Sequence, residues 1–277
     1  MIPTLVLIVS SVIGAAILVL LARFDRLVFR MASPVVFGLL LVWLWQVICV
    51  GYNVPFALLP PPSRIAVAIS THLPMLAADF QQTFIRAVIP GWVVGSAAGL
   101  AAAIALDASP FVKRGVLPLG SLVSAMPIVG IAPIMVMWFG FDWQSKAAVV
   151  VVMTFFPMLI NAAEGLGQVG AMESDLMRTY ASTYRQRLLK LRLPASLPFV
   201  FNALKLNATL ALIGAIVAEY FGTPIVGMGF RISTEAARLN LDVVWAEIVM
   251  AAVAGSVSFA LLASLERIVT FWHPSYR

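Results

Sequence analysis

The chain has 277 residues, of which 62% are hydrophobic and only 11% charged, with a formal net charge of +6. That leaves too little polar surface to clothe a soluble globule of this length, so most of the chain must be solvated by lipid. A single cysteine, Cys49, excludes an internal disulfide and a cysteine metal cluster, and His72 and His273 are too isolated to build a metal site. A membrane-crossing helix needs roughly 20 mostly apolar residues. In chain order, runs of that kind fall at about 3–22, 34–51, 84–106, 115–139, 147–163, 199–221 and 244–268. Their unbroken Val, Leu, Ile and Ala, with Gly and Pro inside, suit helices in lipid; a barrel would alternate apolar and polar residues over segments of about ten. The expected fold class is an all-α integral membrane protein of about seven transmembrane helices, forming one compact bundle.

The first run has no positive charge before it and is followed by Arg23, Arg26 and Arg30, which favours a retained helix with its N-terminus outside over a signal peptide. Threading seven spans from there puts twelve basic residues inside: Arg23, Arg26, Arg30, Lys113, Arg114, Arg178, Arg185, Arg187, Lys190, Arg192, Arg267 and Arg277. Five fall outside, Arg64, Arg86, Lys146, Arg231 and Arg238, and Lys205 lies near the inner end of its span. The excess of positive charge inside supports the threading. Trp138, Trp143, Trp245 and Trp272 fit interfacial belts, whereas Trp43 and Trp45 have no such explanation.

The longest internal loop, 164–198, holds the densest basic stretch. Read as a helix over 178–192, it lines up Met177, Tyr180, Tyr184, Leu188 and Leu191 in one apolar stripe, with Arg178, Arg185 and Arg192 recurring along another side. Pro194 is expected to end this helix and Pro198 to open the next membrane span. From composition alone, a basic amphipathic helix resting on anionic headgroups is the favoured explanation.

The spacing within the segment points elsewhere. "DLMRTYASTYRQRLLKLRLPASLP", residues 175–198, resembles without a gap the cytoplasmic loop of ABC importer permease subunits, in the branch that handles nitrate, sulfonates and taurine. Asp175, Leu176 and Met177 stand at the Glu-Ala-Ala positions and Ala181 at the glycine, while Arg178, Thr179, Ser182, Leu193, Pro194, Ala195, Leu197 and Pro198 match. "LPPPSRI", "AMPIVGIAPIMVMWFG", "FFPMLINAAEGL", "LIGAIVAEYFG" and the terminal "FWHPSYR" resemble the same branch, so the likeness covers about 34–277. It implies a type I ABC importer permease core at 34–277, preceded by an extra transmembrane helix and connector at 1–33.

The resemblance also implies a coupling helix that seats in a groove of a separate ATPase dimer. Asp175, Arg178, Thr179, Ala181, Ser182, Tyr184, Arg185, Leu188, Leu191 and Pro194 are the candidates for that contact. Further implied partners are a second permease subunit, identical or not, an extracytoplasmic solute-binding protein and the lipid bilayer. No nucleic acid is expected. ATP and Mg would sit on the partner, because no phosphate-loop motif occurs here, so this chain is expected to be a transport subunit of the bacterial inner membrane and not an enzyme. Two departures stand out: Asp175 shortens the acidic arm, and Ala181 in place of glycine is expected to forfeit a positive φ. Both point to a non-identical second permease whose loop follows the pattern more closely.

Candidate pathway or gate residues are Met126, Pro127, Ile128 and Met135 around a proline-bearing helix, and Glu219, an ionisable group near the outer end of a span. For Glu219 the alternative is a solvated carboxylate at the interface; for the others it is bundle packing. Gly91, Gly95 and Gly99 form a face of small residues suited to close helix packing. The 222–230 stretch reads as a turn into a short external helix able to meet a binding protein. An ion-coupled secondary transporter, which should show buried ionisable pairs and inverted repeats, is the competing class, but no buried carboxylate pair and no clear repeat is visible. A membrane enzyme would need convergent His, Asp, Cys or Ser groups at membrane depth, which are absent.

Overall fold

A computed structural model of the chain describes residues 27–109, 127–222 and 225–272 continuously, with scattered residues in 9–16 and 111–120. The expected first span, the start of the fourth, Met126 and the terminal "HPSYR" lie outside the continuously described residues. Everything described is helix, turn or loop. The helices are α1 (Leu27–Gly51), α2 (Pro62–Thr71), α3 (Leu73–Asp107), α4 (Ile128–Phe139), α5 (Trp143–Gly167), α6 (Ala171–Thr179), α7 (Tyr184–Glu219), α8 (Met228–Ala237) and α9 (Leu241–Val269). Five of these, α3, α5, α7, α9 and the Ala32–Gly51 part of α1, are long and apolar enough to cross a membrane. The second span therefore starts earlier than expected, because Pro34 is accommodated inside α1 and the helix reaches back to Leu27.

Two of the long helices pass through prolines, and in α7 these are Pro194 and Pro198, which the sequence suggested would end one helix and begin the next. In α3 the turns Gln81–Val88 are π-helical, and in α7 so are Leu188–Arg192. The Ile89 N–H donates to the Phe84 carbonyl and the Leu193 N–H to the Leu188 carbonyl, both five residues back. Each wide turn stops two residues short of a proline, Pro90 or Pro194. A proline ring clashes with the carbonyl four residues earlier and offers no N–H to it, so widening the preceding turn lets the helix continue. From Tyr184 onward, the basic segment and the following span are thus one continuous helix, Tyr184–Glu219.

The chain divides into two compact units. One takes in Met1–Leu76 and Ile232–Ile248, the other Ala77–Arg231 and Val249–Arg277. In the first, the Gln46 side chain clamps the start of α2, donating to Ser63 Oγ (2.9 Å) and accepting from the Ser63 N–H (3.0 Å). Trp45 stacks at a tilt on Trp245 with ring centroids 4.8 Å apart, which accounts for a tryptophan that no interfacial belt explained. Arg64 pairs with Asp242 at 3.3 Å and lies over the Phe56 ring.

The second unit is built on α3, α5 and α7. Gly91, Gly95 and Gly99 face α5 as the small-residue pattern predicted. A Cβ at Gly91 would meet Ala147 O and Val150, one at Gly95 would meet Thr154 Oγ1 and Val151, and one at Gly99 would meet Phe155 O and Met158. Against that contact, Asn207 of α7 donates to Ser96 Oγ (3.0 Å) and to Thr154 O (2.8 Å), and Trp92 Nε1 donates to Leu204 O (3.2 Å). Since the atoms facing Gly95 include backbone, α3 and α5 must part to admit a side chain, which exceeds the 1–3 kcal/mol typical of overpacking a yielding core. Gly95→Leu is expected to lose its monodisperse elution in detergent. Gly38→Leu, where nothing lies within 4 Å of the added Cβ, should elute like the parent chain.

Candidate functional site

The segment singled out by its spacing is two helices, not one. α6 ends at Thr179, and the Ser182 N–H donates to Met177 O (3.1 Å) while the Ala181 N–H donates to Arg178 O (2.8 Å). This paired closure is a Schellman motif, and it requires a left-handed residue at its centre. Ala181 supplies it with φ +50°, so the expectation that alanine forfeits a positive φ is corrected. An alanine there costs about 1–2 kcal/mol relative to a right-handed conformation, small enough for the surrounding bonds to impose. The chain then re-enters helix at Thr183 through a capping box: Thr183 Oγ1 accepts from the Gln186 N–H and Gln186 Oε1 from the Thr183 N–H.

The break divides the candidate coupling residues. Asp175, Arg178 and Thr179 belong to α6, which buries no residue; Met172, Leu176 and Tyr180 are 83%, 56% and 77% exposed. Arg178 pairs weakly with Asp175 at 3.5 Å, and Thr179 Oγ1 donates to Asp175 O. Ser182 closes the motif. Tyr184, Arg185, Leu188, Leu191 and Pro194 lie in the first turns of α7, which are fastened to the rest of the unit. Asp107, at the end of α3, accepts from Arg192 (2.6 Å) and from the Tyr184 hydroxyl (3.1 Å). Leu188 is buried among Ala103, Met158, Leu159, Leu166 and Val200. The expected single stripe of apolar side chains is therefore split: Leu188 points into its own bundle, whereas Tyr180 and Tyr184 are exposed. Asp107 escaped the sequence reading because a lone acid after an apolar run looks like a solvated helix end.

The opposite end of the same three helices holds a buried polar network. Glu219, at the last turn of α7, is 3% exposed and accepts from Thr83 Oγ1 (2.7 Å) and from the Gly229 N–H (2.6 Å). Thr83 Oγ1 in turn accepts from the Met228 N–H (2.8 Å), and Asp79 accepts from the Gly227 N–H (2.7 Å) while pairing with Arg231 (2.8 Å). The N–H groups that open α8 are thus each taken by a side chain of α3 or α7. Gly227 has φ +145° and no room for a Cβ beside the Glu219 carboxylate, so only glycine fits there. Lys146, 1% exposed, donates to Phe141 O and to Gly222 O, carbonyls just beyond the C-termini of α4 and α7, where a cation is favoured. A solvated Glu219 is excluded by this geometry. Two ion pairs that the sequence did not reveal, Asp79–Arg231 and Lys205–Glu266 (2.7 Å), also lie inside the unit.

Of the remaining gate candidates, Pro127 is an exposed N-cap to α4, Ile128 begins that helix, and Met126 lies outside the described residues. Met135 packs beside Ala132, Val149 and Ala218.

Residues 95–271 match the family of binding-protein-dependent transport system inner membrane components. The chain is 29% identical over 252 residues to the formylaminopyrimidine transport permease protein of Halalkalibacterium halodurans, covering 88% of this chain and 97% of the relative. It is 29% identical over 245 residues to a putative aliphatic sulfonates transport permease protein of Bacillus subtilis, covering 86% and 88%. It is 28% identical over 250 residues to the taurine transport system permease protein of Escherichia coli, covering 85% and 86%. The matched stretch takes in the exposed helix α6 together with Lys146, Glu219 and the start of α8, and on that footing the chain belongs to the inner membrane components of binding-protein-dependent transport systems, as a multi-pass permease of an ABC transporter.

Proposed function

We propose that this permease lines the import pathway of a small organic solute handed over by an extracytoplasmic binding protein, and that α6 with the turn at Ala181 is the surface through which a separate ATPase drives it. The observation that carries the second half is the contrast between α6 and its surroundings. An amphipathic helix with no buried residue presents Met172, Leu176 and Tyr180, while the next helix, starting three residues after that turn, is fixed through Asp107 and Leu188. A surface meant to receive force needs an apolar face for affinity, charges for register, and a stiff mount behind it. The relatives' names, for formylaminopyrimidine, aliphatic sulfonates and taurine, support a small polar organic cargo. ATP and Mg belong to the partner ATPase dimer in this scheme, and a second permease chain, identical or not, completes the pathway.

Leu176→Asp tests the docking surface. The substitution places a charge on an already exposed position, so the chain should insert and elute normally. In a pull-down with the partner ATPase, retention should fall at least tenfold, because a carboxylate would be buried without a partner in the groove. A helix that only rests on anionic headgroups gives the other result, full ATPase retention with weakened binding to anionic vesicles.

A further inference from the structure

Near the Glu219 end, the second unit contains a cavity of about 340 Å³ lined by Ala78, Gln81, Gln82, Arg86, Asp142 and Val226. That volume is in the range of small-ligand sites. Its walls are polar although α3 is a membrane-length, largely apolar helix. Pro90 explains why the turns at Gln81–Val88 are wide, but not why they carry two glutamines and an arginine. In a turn of about 4.4 residues, Gln82 and Arg86 point the same way, and the Arg86 guanidinium donates to Gln82 Oε1 (3.2 Å). The other end of the Gln82 amide donates to Asp142 Oδ1 (2.8 Å), an oxygen that also caps α5 by accepting from the Trp143 N–H.

The arrangement differs from the ion pairs around it. Asp79 meets Arg231 directly, whereas Arg86 and Asp142 are held one carboxamide apart with open space beside them. Among the described residues, Arg86 is bonded only to Gln82, which leaves most of its guanidinium fork uncommitted, and the Gln81 amide is bonded to nothing. Asp142 keeps one carboxylate oxygen without a hydrogen-bond donor. We infer that this cavity is a solute-contact site for a small organic oxyanion that also bears an N–H donor, the anion on the Arg86 fork and the donor toward Asp142. A guanidinium fork matches carboxylate or sulfonate oxygens two at a time, and a carboxylate one amide away selects against a simple anion. The site's place in transport rests on the importer proposed above; its binding chemistry does not.

The test uses the full chain in detergent with Cys49→Ala and Gln81→Cys, and it follows the rate at which N-ethylmaleimide alkylates the new thiol. Taurine and β-alanine, each an oxyanion with an ammonium group, should slow alkylation severalfold. Propanesulfonate should protect less, and ethanolamine not at all. Arg86→Gln should abolish protection, and Asp142→Asn should bring the protection by taurine down to that by propanesulfonate. Ala78→Cys, on the same wall, serves if Gln81→Cys does not fold. Equal labelling rates with and without taurine and β-alanine, or protection that survives Arg86→Gln, would overturn the inference. No ATPase enters this measurement, so failure of the docking surface at α6 would leave its outcome unchanged.

Discussion

Glu219→Ala should be among the most damaging single changes in the chain. The carboxylate accepts from Thr83 Oγ1 and from the Gly229 N–H, and it sits within the same buried end as the Lys146 ammonium. Removing it leaves a hydroxyl and a backbone N–H without their acceptor where water does not replace it, and takes a negative charge from the neighbourhood of the ammonium. Breaking one member of a buried charged network in this way costs about 3–5 kcal/mol. The first turn of α8 loses one of its side-chain caps at the same time. In detergent, the thermal unfolding midpoint should drop sharply, and limited proteolysis should cut within the 220–228 connection faster than in the parent chain. Glu219→Gln should be intermediate, because its amide oxygen can still accept one of the two bonds while its NH2 opposes the other donor. A midpoint unchanged in Glu219→Ala would mean that the network does not hold α8 in place.

The contrast between what the sequence revealed and what it hid follows from the range of the interactions involved. The apolar runs and the three-glycine face of α3 are local patterns: five of the seven runs fall on membrane-length helices, and the glycines face α5 as their spacing implied. Helix ends were harder. Pro194 and Pro198 argued for a boundary by a sound rule, but a wide turn at Leu188–Arg192 relieves the clash, and nothing in the residues of that turn announces it. Ala181 argued against a left-handed residue, yet the hydrogen bonds that close α6 outweigh a penalty of about 1–2 kcal/mol. The buried network was invisible for a different reason. Asp79, Thr83, Lys146, Glu219 and Arg231 span 153 positions of the chain and read singly as interfacial polar residues; only the packing of α3, α5 and α7 brings them together.

Leu188→Asp is expected to prevent the chain from folding at all. The side chain is 9% exposed and packs among Ala103, Met158, Leu159, Leu166 and Val200, where α3, α5 and α7 meet at the Asp107 end. A carboxylate there has no donor within the cluster, and an uncompensated buried charge is costly enough to outweigh the marginal stability of a single domain. Leu188→Ala separates packing from charge: it should fold but lose about 2–5 kcal/mol, the usual range for a truncated core leucine. The neighbouring Leu189, 53% exposed, supplies the control, since Leu189→Asp should insert and elute like the parent chain. These three variants also distinguish the two halves of the basic segment. If Leu188 instead faced an ATPase groove, Leu188→Asp would yield a well-folded, monodisperse protein that had merely lost its partner. A folded Leu188→Asp chain would therefore refute the structure of this end of the bundle, whereas a misfolded one, beside a well-behaved Leu176→Asp, would place the docking face on α6 and make the start of α7 the mount that transmits its motion into the membrane.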